Sequence, residues 1–328
     1  MLMHSRSRYS RRSVLAGLCA LPVAMFGAAM GAPVFNCALA AASPDISAKD
    51  LPKMLAELEA SSGGRLGVAA SVSNGGNVLS YRGDERFPMC STFKVLAAAA
   101  VLRDKPDILE QRIHFAKNDI QPWSPVSEKH LEDGMTVSEL CAAMLQHSDN
   151  TAANLVLAQL GGPAGLTTIA RSFGDTTFRL DRWEVELNTA IPGDARDTTT
   201  PIAMCRTLNG LLCGNQLKAP AQKQLTDWML GCATGAGRIP AGAPQGWRPA
   251  HKSGSGENGT ANDVGVLLPP GNPGQAAKAR NGKNKPRTVA LYLTGSRLTG
   301  SGNDKILAQA TRLVCAAEGL ATPLDNMY

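Results

Sequence analysis

The sequence predicts an α/β fold of the α+β kind: a sheet built from both ends of the chain, with a helical half inserted between them. Two patterns point to it. Short apolar or alternating runs bounded by Gly, Asn and Pro lie near both ends, and capped apolar stretches of helical length fill the middle. The size agrees, since 328 residues that are 44% hydrophobic can bury a sizeable core.

The elements follow in order. Residues 65–73 and 78–83 flank Asn74-Gly75-Gly76-Asn77 and read as a hairpin. Residues 92–102 form an Ala-rich apolar run, the pattern of a buried helix. Thr136 and Glu139 make a capping box before another apolar run. A helix over 151–160 is stopped by Gly161-Gly162, and Pro163 and Pro201 each open a further helix. Residues 175–199 are polar and turn-rich, and so long a loop inside a compact domain is usually functional. Strands are expected over 249–256, 261–268 and 288–295, and a last helix over 304–319.

Composition excludes a disordered chain, a collagen and a small disulfide scaffold. The net charge of +6 is explained by its location. Arg6, Arg8, Arg11 and Arg12 precede an uncharged apolar stretch that ends in Ala38-Leu39-Ala40, the pattern of a secretory signal peptide over residues 1–40. Gly and Pro interrupt that stretch and no basic cluster follows, which speaks against a membrane anchor. Ser10-Arg11-Arg12 resembles a twin-arginine signal, with general secretion as the alternative. Removing residues 1–40 takes four of the 33 basic residues and no acidic ones, leaving 29 against 27. Nucleic acid is therefore not an expected partner. The remaining basic patch around Lys278–Arg287 reads as a solvated loop. Cys90, Cys141, Cys205, Cys213, Cys232 and Cys315 match no zinc spacing and read mostly as buried or unpaired thiols. No metal or cofactor is expected.

Four short motifs carry chemistry. In Ser91-Thr92-Phe93-Lys94 the hydroxyl and amine share a helix face, so the amine can take the serine proton. Ser148-Asp149-Asn150 lies between two helices, where the same residues also suit turn and cap chemistry. Glu184 and Asn188 sit four residues apart in the long loop and can hold a water for hydrolysis. Lys252-Ser253-Gly254 opens a strand, with a cation and a hydroxyl for a substrate carboxylate. Each motif alone has an ordinary structural reading. Their order and placement together form the signature S-x-x-K, S-D-N, K-[ST]-G.

On those residues the mature chain resembles a class A serine β-lactamase. The segments 83–87, Trp123-Ser124-Pro125-Val126, 128–130 and Thr260-Ala261-Asn262-Asp263 extend the likeness. The resemblance implies a β-lactamase/transpeptidase-like fold with a five-stranded antiparallel sheet. It places an α/β domain at 41–85 and 231–328, and a helical domain at 86–230 with an Ω-loop at 179–197. It implies hydrolysis of penicillins and cephalosporins by an exported, periplasmic monomer. Ser91 would be the nucleophile, with Lys94 or Glu184 as its base. Ser148 would pass a proton to the leaving nitrogen, and Glu184 with Asn188 would serve deacylation. Asn150 would bind the substrate's side-chain amide. Lys252 and Ser253 would hold its carboxylate, and the amides of Ser91 and Ser255 would form the oxyanion hole. Trp123 would gate the cleft. Arg182 and Asp197 would close the Ω-loop, supported by Asn154.

Departures from the family pattern set further expectations. Ser253 stands for the commoner Thr, and Val185 for a Pro, which leaves the Glu184–Val185 isomer open. Ala261 stands near the place of a missing arginine, whose role falls to Arg238. Cys90 faces Gly256 and Cys141 faces Ala98, so two disulfides known in relatives cannot form here. A D,D-peptidase would share the serine motifs but lack Glu184, and a β-lactam sensor would stay acylated.

Overall fold

The computed structural model describes residues 47, 49–71, 78–271 and 284–320, all within one compact unit spanning 42–328. The signal segment, the tip of the predicted hairpin and most of the 269–287 loop lie outside the described residues.

Five strands form one antiparallel sheet: β1 (Arg65–Ser71), β2 (Val78–Tyr81), β3 (Arg248–Gly256), β4 (Thr260–Leu268) and β5 (Arg287–Thr294). Their order is β2-β1-β5-β4-β3, so the two ends of the chain interleave. The interior strands are buried on both faces and mostly apolar, as strands covered on both sides are. On β5, Val289, Leu291 and Leu293 pack under the helices α1 (Leu51–Ser62) and α9 (Gly300–Ala317), whereas Ala290 and Tyr292 face the larger core. That split is the period-two alternation of a strand.

The larger core belongs to the inserted helices: α2 (Lys94–Asp104), α3 (Val137–Gln146), α4 (Asn150–Gln159), α5 (Gly162–Ser172), α6 (Pro201–Leu212) and α7 (Ala219–Leu230); a four-residue turn, α8 (Ile239–Gly242), follows. Every residue of α2 from Lys94 to Leu102 is buried, so this helix is the hub of the insertion. The Thr136–Glu139 capping box forms reciprocally at 3.1 and 2.7 Å and starts α3.

Two expectations need correction, and two helices were not anticipated. Ser91 does not open an α-helix; it lies in a 3-10 turn over Cys90–Phe93, and α2 begins at Lys94. Arg287 is not part of a solvated loop; it opens β5, is 2% exposed and pairs with Glu318. Helix α1 and helix α7 carry apolar periodicity that the sequence reading did not mark.

Candidate active site

The 3-10 turn presents Ser91 beneath the edge of β3. Gly254 permits the approach, because a Cβ there would come within 3.0 Å of the Met89 carbonyl. Cys90, just before the serine, has a φ of 46°, which turns the chain sharply at this point.

Glu184 is the centre of the cluster. Its Oε1 accepts from the Ser91 hydroxyl at 3.1 Å and from Lys94 Nζ at 2.9 Å, with both ion-pair side chains fully buried. Its Oε2 accepts from Asn188 Nδ2 at 2.5 Å, so carboxylate and amide touch directly. Asn154 clamps the backbone of the same residue, donating to its carbonyl at 2.8 Å and accepting from its N–H at 3.0 Å. The Glu184–Val185 peptide is cis. Arg182 pairs with Asp197 at 2.6 Å, and Asp197 also accepts from the Asp181 and Arg182 amides, closing the loop behind Glu184.

The expected serine–lysine contact is thus replaced by one through Glu184. Lys94 Nζ spends its other donors on the Ser148 carbonyl at 2.9 Å and Asn150 Oδ1 at 2.7 Å. Burial pulls the Lys94 amine below its ordinary pKa, and Glu184 opposes that shift.

In Ser148-Asp149-Asn150 the structural and chemical readings both hold, on different residues. Asp149 caps α4 through the Ala152 amide at 2.9 Å and ties down the amides of Val126 and Ser127. That frees Ser148, at a φ of 59°, to sit between the two lysines: 3.1 Å from Lys252 Nζ and 3.5 Å from Lys94 Nζ. Asn150 also donates to the Pro122 carbonyl at 2.8 Å.

Lys252 is fully buried on β3, and burial, aided by the charge of Lys94, lowers its pKa to about 7. Ser253 Oγ lies 2.7 Å from Thr234 Oγ1. Arg238 reaches the same edge, donating to Ser255 Oγ at 2.8 Å and to the carbonyls of Gly254 and Asn262. Asp304 holds its Nε at 2.7 Å. Thr234 and Asp304 were not identified in the sequence; each acts through a neighbour, and no local pattern marks that. Trp123 stands at the rim, 66% exposed, its Nε1 bonded to the His147 carbonyl.

Ser91, Trp123, Ser148, Asn150, Asn188, Arg238 and the β3 run Ser253–Ser255 all line one cavity of about 350 Å³ with Thr234 and Gly235. Glu184, Lys94 and Lys252 lie beneath it. All six described cysteines are free. A Cβ at Gly256 would lie 2.7 Å from Cys90 Sγ, which shows where a bridge is foregone.

A serine bonded to a buried carboxylate–lysine pair, on a turn between a five-stranded sheet and a helical insertion, defines a penicillin-recognising serine enzyme fold. The comparisons are more specific. A family model described as "Beta-lactamase enzyme family" matches residues 50–291. The carbapenem-hydrolyzing beta-lactamase KPC of Klebsiella oxytoca is 48% identical over 269 residues, spanning 81% of this chain and 87% of its own. Beta-lactamase Toho-1 of Escherichia coli is 42% identical over 307 residues, spanning 93% and 97%. The solved class A beta-lactamase of the last common ancestor of Gram-negative bacteria aligns with a TM-score of 0.76 at 52% identity, covering 82% of this chain and 99% of that one. The chain belongs to the beta-lactamase enzyme family.

Proposed function

We propose that this protein hydrolyses the amide bond of penicillins and cephalosporins through an acyl-enzyme on Ser91, and so confers resistance to them. The observation that carries the reading is the shared oxygen of Glu184, which accepts from both the Ser91 hydroxyl and Lys94. As Ser91 Oγ attacks the lactam carbonyl, its proton passes to Glu184, the group it already bonds. The amides of Ser91 and Ser255 stabilise the oxyanion. The C–N bond breaks as Ser148 gives its proton to the nitrogen, and the proton held on Glu184 passes through Lys94, 2.9 Å from Glu184 and 3.5 Å from Ser148 Oγ, to restore Ser148. Glu184, ionised again, then takes a proton from water as the water oxygen attacks the ester, and returns that proton to Ser91 Oγ as the ester C–O bond breaks. Lys252, Ser253 and Arg238 hold the substrate carboxylate, Asn150 meets the side-chain amide, and Trp123 packs on the substrate at the rim. No metal or cofactor enters these steps.

Residues 1–40 serve as an export signal, removed near Ala40, and the mature enzyme acts as a periplasmic monomer. The helical half 86–230 and the sheet half 41–85 with 231–328 act as the two walls of the cleft. Among the described residues no helix is long and apolar enough to cross a membrane.

Glu184→Ala tests the mechanism. Without Glu184, Lys94 is left unpaired and can serve as the acylation base, whereas deacylation has none, so benzylpenicillin should leave a long-lived adduct on Ser91 by mass spectrometry, with kcat down about 10²–10⁴-fold. Turnover at the parent rate would overturn the assignment. A parent enzyme that itself accumulates the adduct without product would favour the sensor reading.

A further inference from the structure

The loop that carries Glu184 and Asn188 is pinned from both halves of the molecule. The helical half holds Glu184 itself. Asn154 clamps its backbone, and Lys94, tied to the Ser148 carbonyl and Asn150 Oδ1, holds its Oε1. The sheet half holds the segment that carries Asn188. There the turn Glu257-Asn258-Gly259, between β3 and β4, meets the end of the 3-10 turn Glu186–Thr189. The Glu257 amide donates to the Asn188 carbonyl at 2.9 Å. Asn258 Nδ2 donates to the Thr189 carbonyl at 3.0 Å and to the Ala190 carbonyl at 3.3 Å. Three successive carbonyls of the loop thus end on two residues of one hairpin turn.

The local sequence suits that turn to the task. Asn258 and Gly259 have φ of 52° and 62°, a left-handed conformation that Asn and Gly adopt more readily than other residues. The Thr260 amide closes the turn on the Glu257 carbonyl at 3.2 Å. The Asn258 carbonyl accepts from the Gly295 amide, just past β5, at 2.7 Å, so the turn is anchored to the sheet and not to the loop it holds. Gly256 permits the close approach, because a Cβ there would lie 2.6 Å from the Asn188 carbonyl. At the other end of the chain of contacts, Asn188 Nδ2 bonds Glu184 Oε2.

We infer that Asn258 is a positioning residue for deacylation: from the sheet it holds the segment that carries Asn188, and through Asn188 it sets the geometry at Glu184 in which water attacks the acyl-enzyme. This role rests on the function proposed above, and it separates the two half-reactions. Acylation draws on Glu184 and Lys94, which the helical half holds. Deacylation draws on Asn188 as well, which the sheet holds.

Asn258→Gly in the full-length chain tests this. Glycine takes a φ of 52° without strain, so the turn is kept and the side-chain donor is lost. Rapid-quench mass spectrometry with benzylpenicillin reads how fast Ser91 is acylated and how fast the adduct decays. Decay should slow about three- to tenfold, the effect of one lost hydrogen bond, with acylation unchanged. Where deacylation limits turnover, kcat and KM should fall together and leave kcat/KM as it was. Asn258→Asp tolerates the same backbone, lacks the donor and should behave alike, which gives the reading should the glycine variant fail to fold. In an Asn188→Ala background, Asn258→Gly should slow decay no further, because nothing is left to position. Decay at the parent rate in both Asn258 variants overturns the inference. So does an equal loss of acylation, and so does a full Asn258→Gly effect on top of Asn188→Ala. A parent that is acylated and never releases product sinks the proposed hydrolysis and this role with it, whereas normal parent turnover beside an unaffected variant sinks this role alone.

Discussion

The chain buries two carboxylate–cation pairs that look alike and act differently. Lys94–Glu184 lies under the cavity, and Arg287–Glu318 joins the start of β5 to the end of α9. Both oxygens of Glu184 are engaged, by Ser91, Lys94 and Asn188, and Asn154 fixes its backbone. Glu318 has one buried oxygen, Oε1, with no hydrogen-bond partner, and burial pushes its carboxyl up to about 7 against the pull of Arg287. It also sits at a helix C-terminus, where the dipole disfavours negative charge. Burial by itself therefore marks nothing functional. A saturated carboxylate beside a nucleophile, opening on a cavity, does.

The contrast can be broken experimentally. Lys94→Met should have the largest effect, lowering kcat by about 10²–10⁴-fold. It should also remove about 3–5 kcal/mol of stability, because Glu184 is left buried without its cation. Penicillin turnover with urea unfolding reads both, and an unchanged kcat would erase the difference between the pairs. Arg287→Met should cost a similar 3–5 kcal/mol in urea unfolding while leaving kcat unchanged. Adding Glu318→Leu should recover most of that loss, since a matched apolar pair is often as stable as a buried ion pair. A fall in kcat would show that the distant pair reaches the site.

The smallest effect separates the two buried lysines by pH. The Lys252 amine is lowered to about 7, so it loses its charge as pH rises through that value. A neutral amine no longer attracts the substrate carboxylate. The kcat/KM for benzylpenicillin should therefore fall on the alkaline side with an apparent pKa near 7, since this ratio reports the free enzyme. Lys252→Gln should start lower and show no such limb. A limb that survives Lys252→Gln would assign the titration elsewhere, with Lys94 the first candidate.

Much of the fold was legible locally. The strands at 249–256, 261–268 and 288–295 fall within a residue of β3, β4 and β5, because alternation and bounding turns are local signals. The Thr136 capping box is local too. Arg287 was misread because a basic cluster next to a loop gives no sign that its last member enters a strand. Each residue of the four motifs that was assigned a chemical role lines the cavity or lies directly beneath it. Asp149 caps α4 instead. The serine–lysine contact was misjudged, because spacing on a helix face says nothing of a carboxylate arriving from a loop 93 residues away.

The sequence by itself determined most of the elements and the inventory of reacting groups, though not α1 or α7, since periodicity, caps and turn residues act over a few positions. Only the tertiary structure decided how those groups are connected: Glu184 between Ser91 and Lys94, Ser148 between two lysines, and Arg238 held by Asp304. These contacts join residues far apart in the chain. Burial then lowers the pKa of Lys94 and Lys252 in ways that no isolated segment could carry.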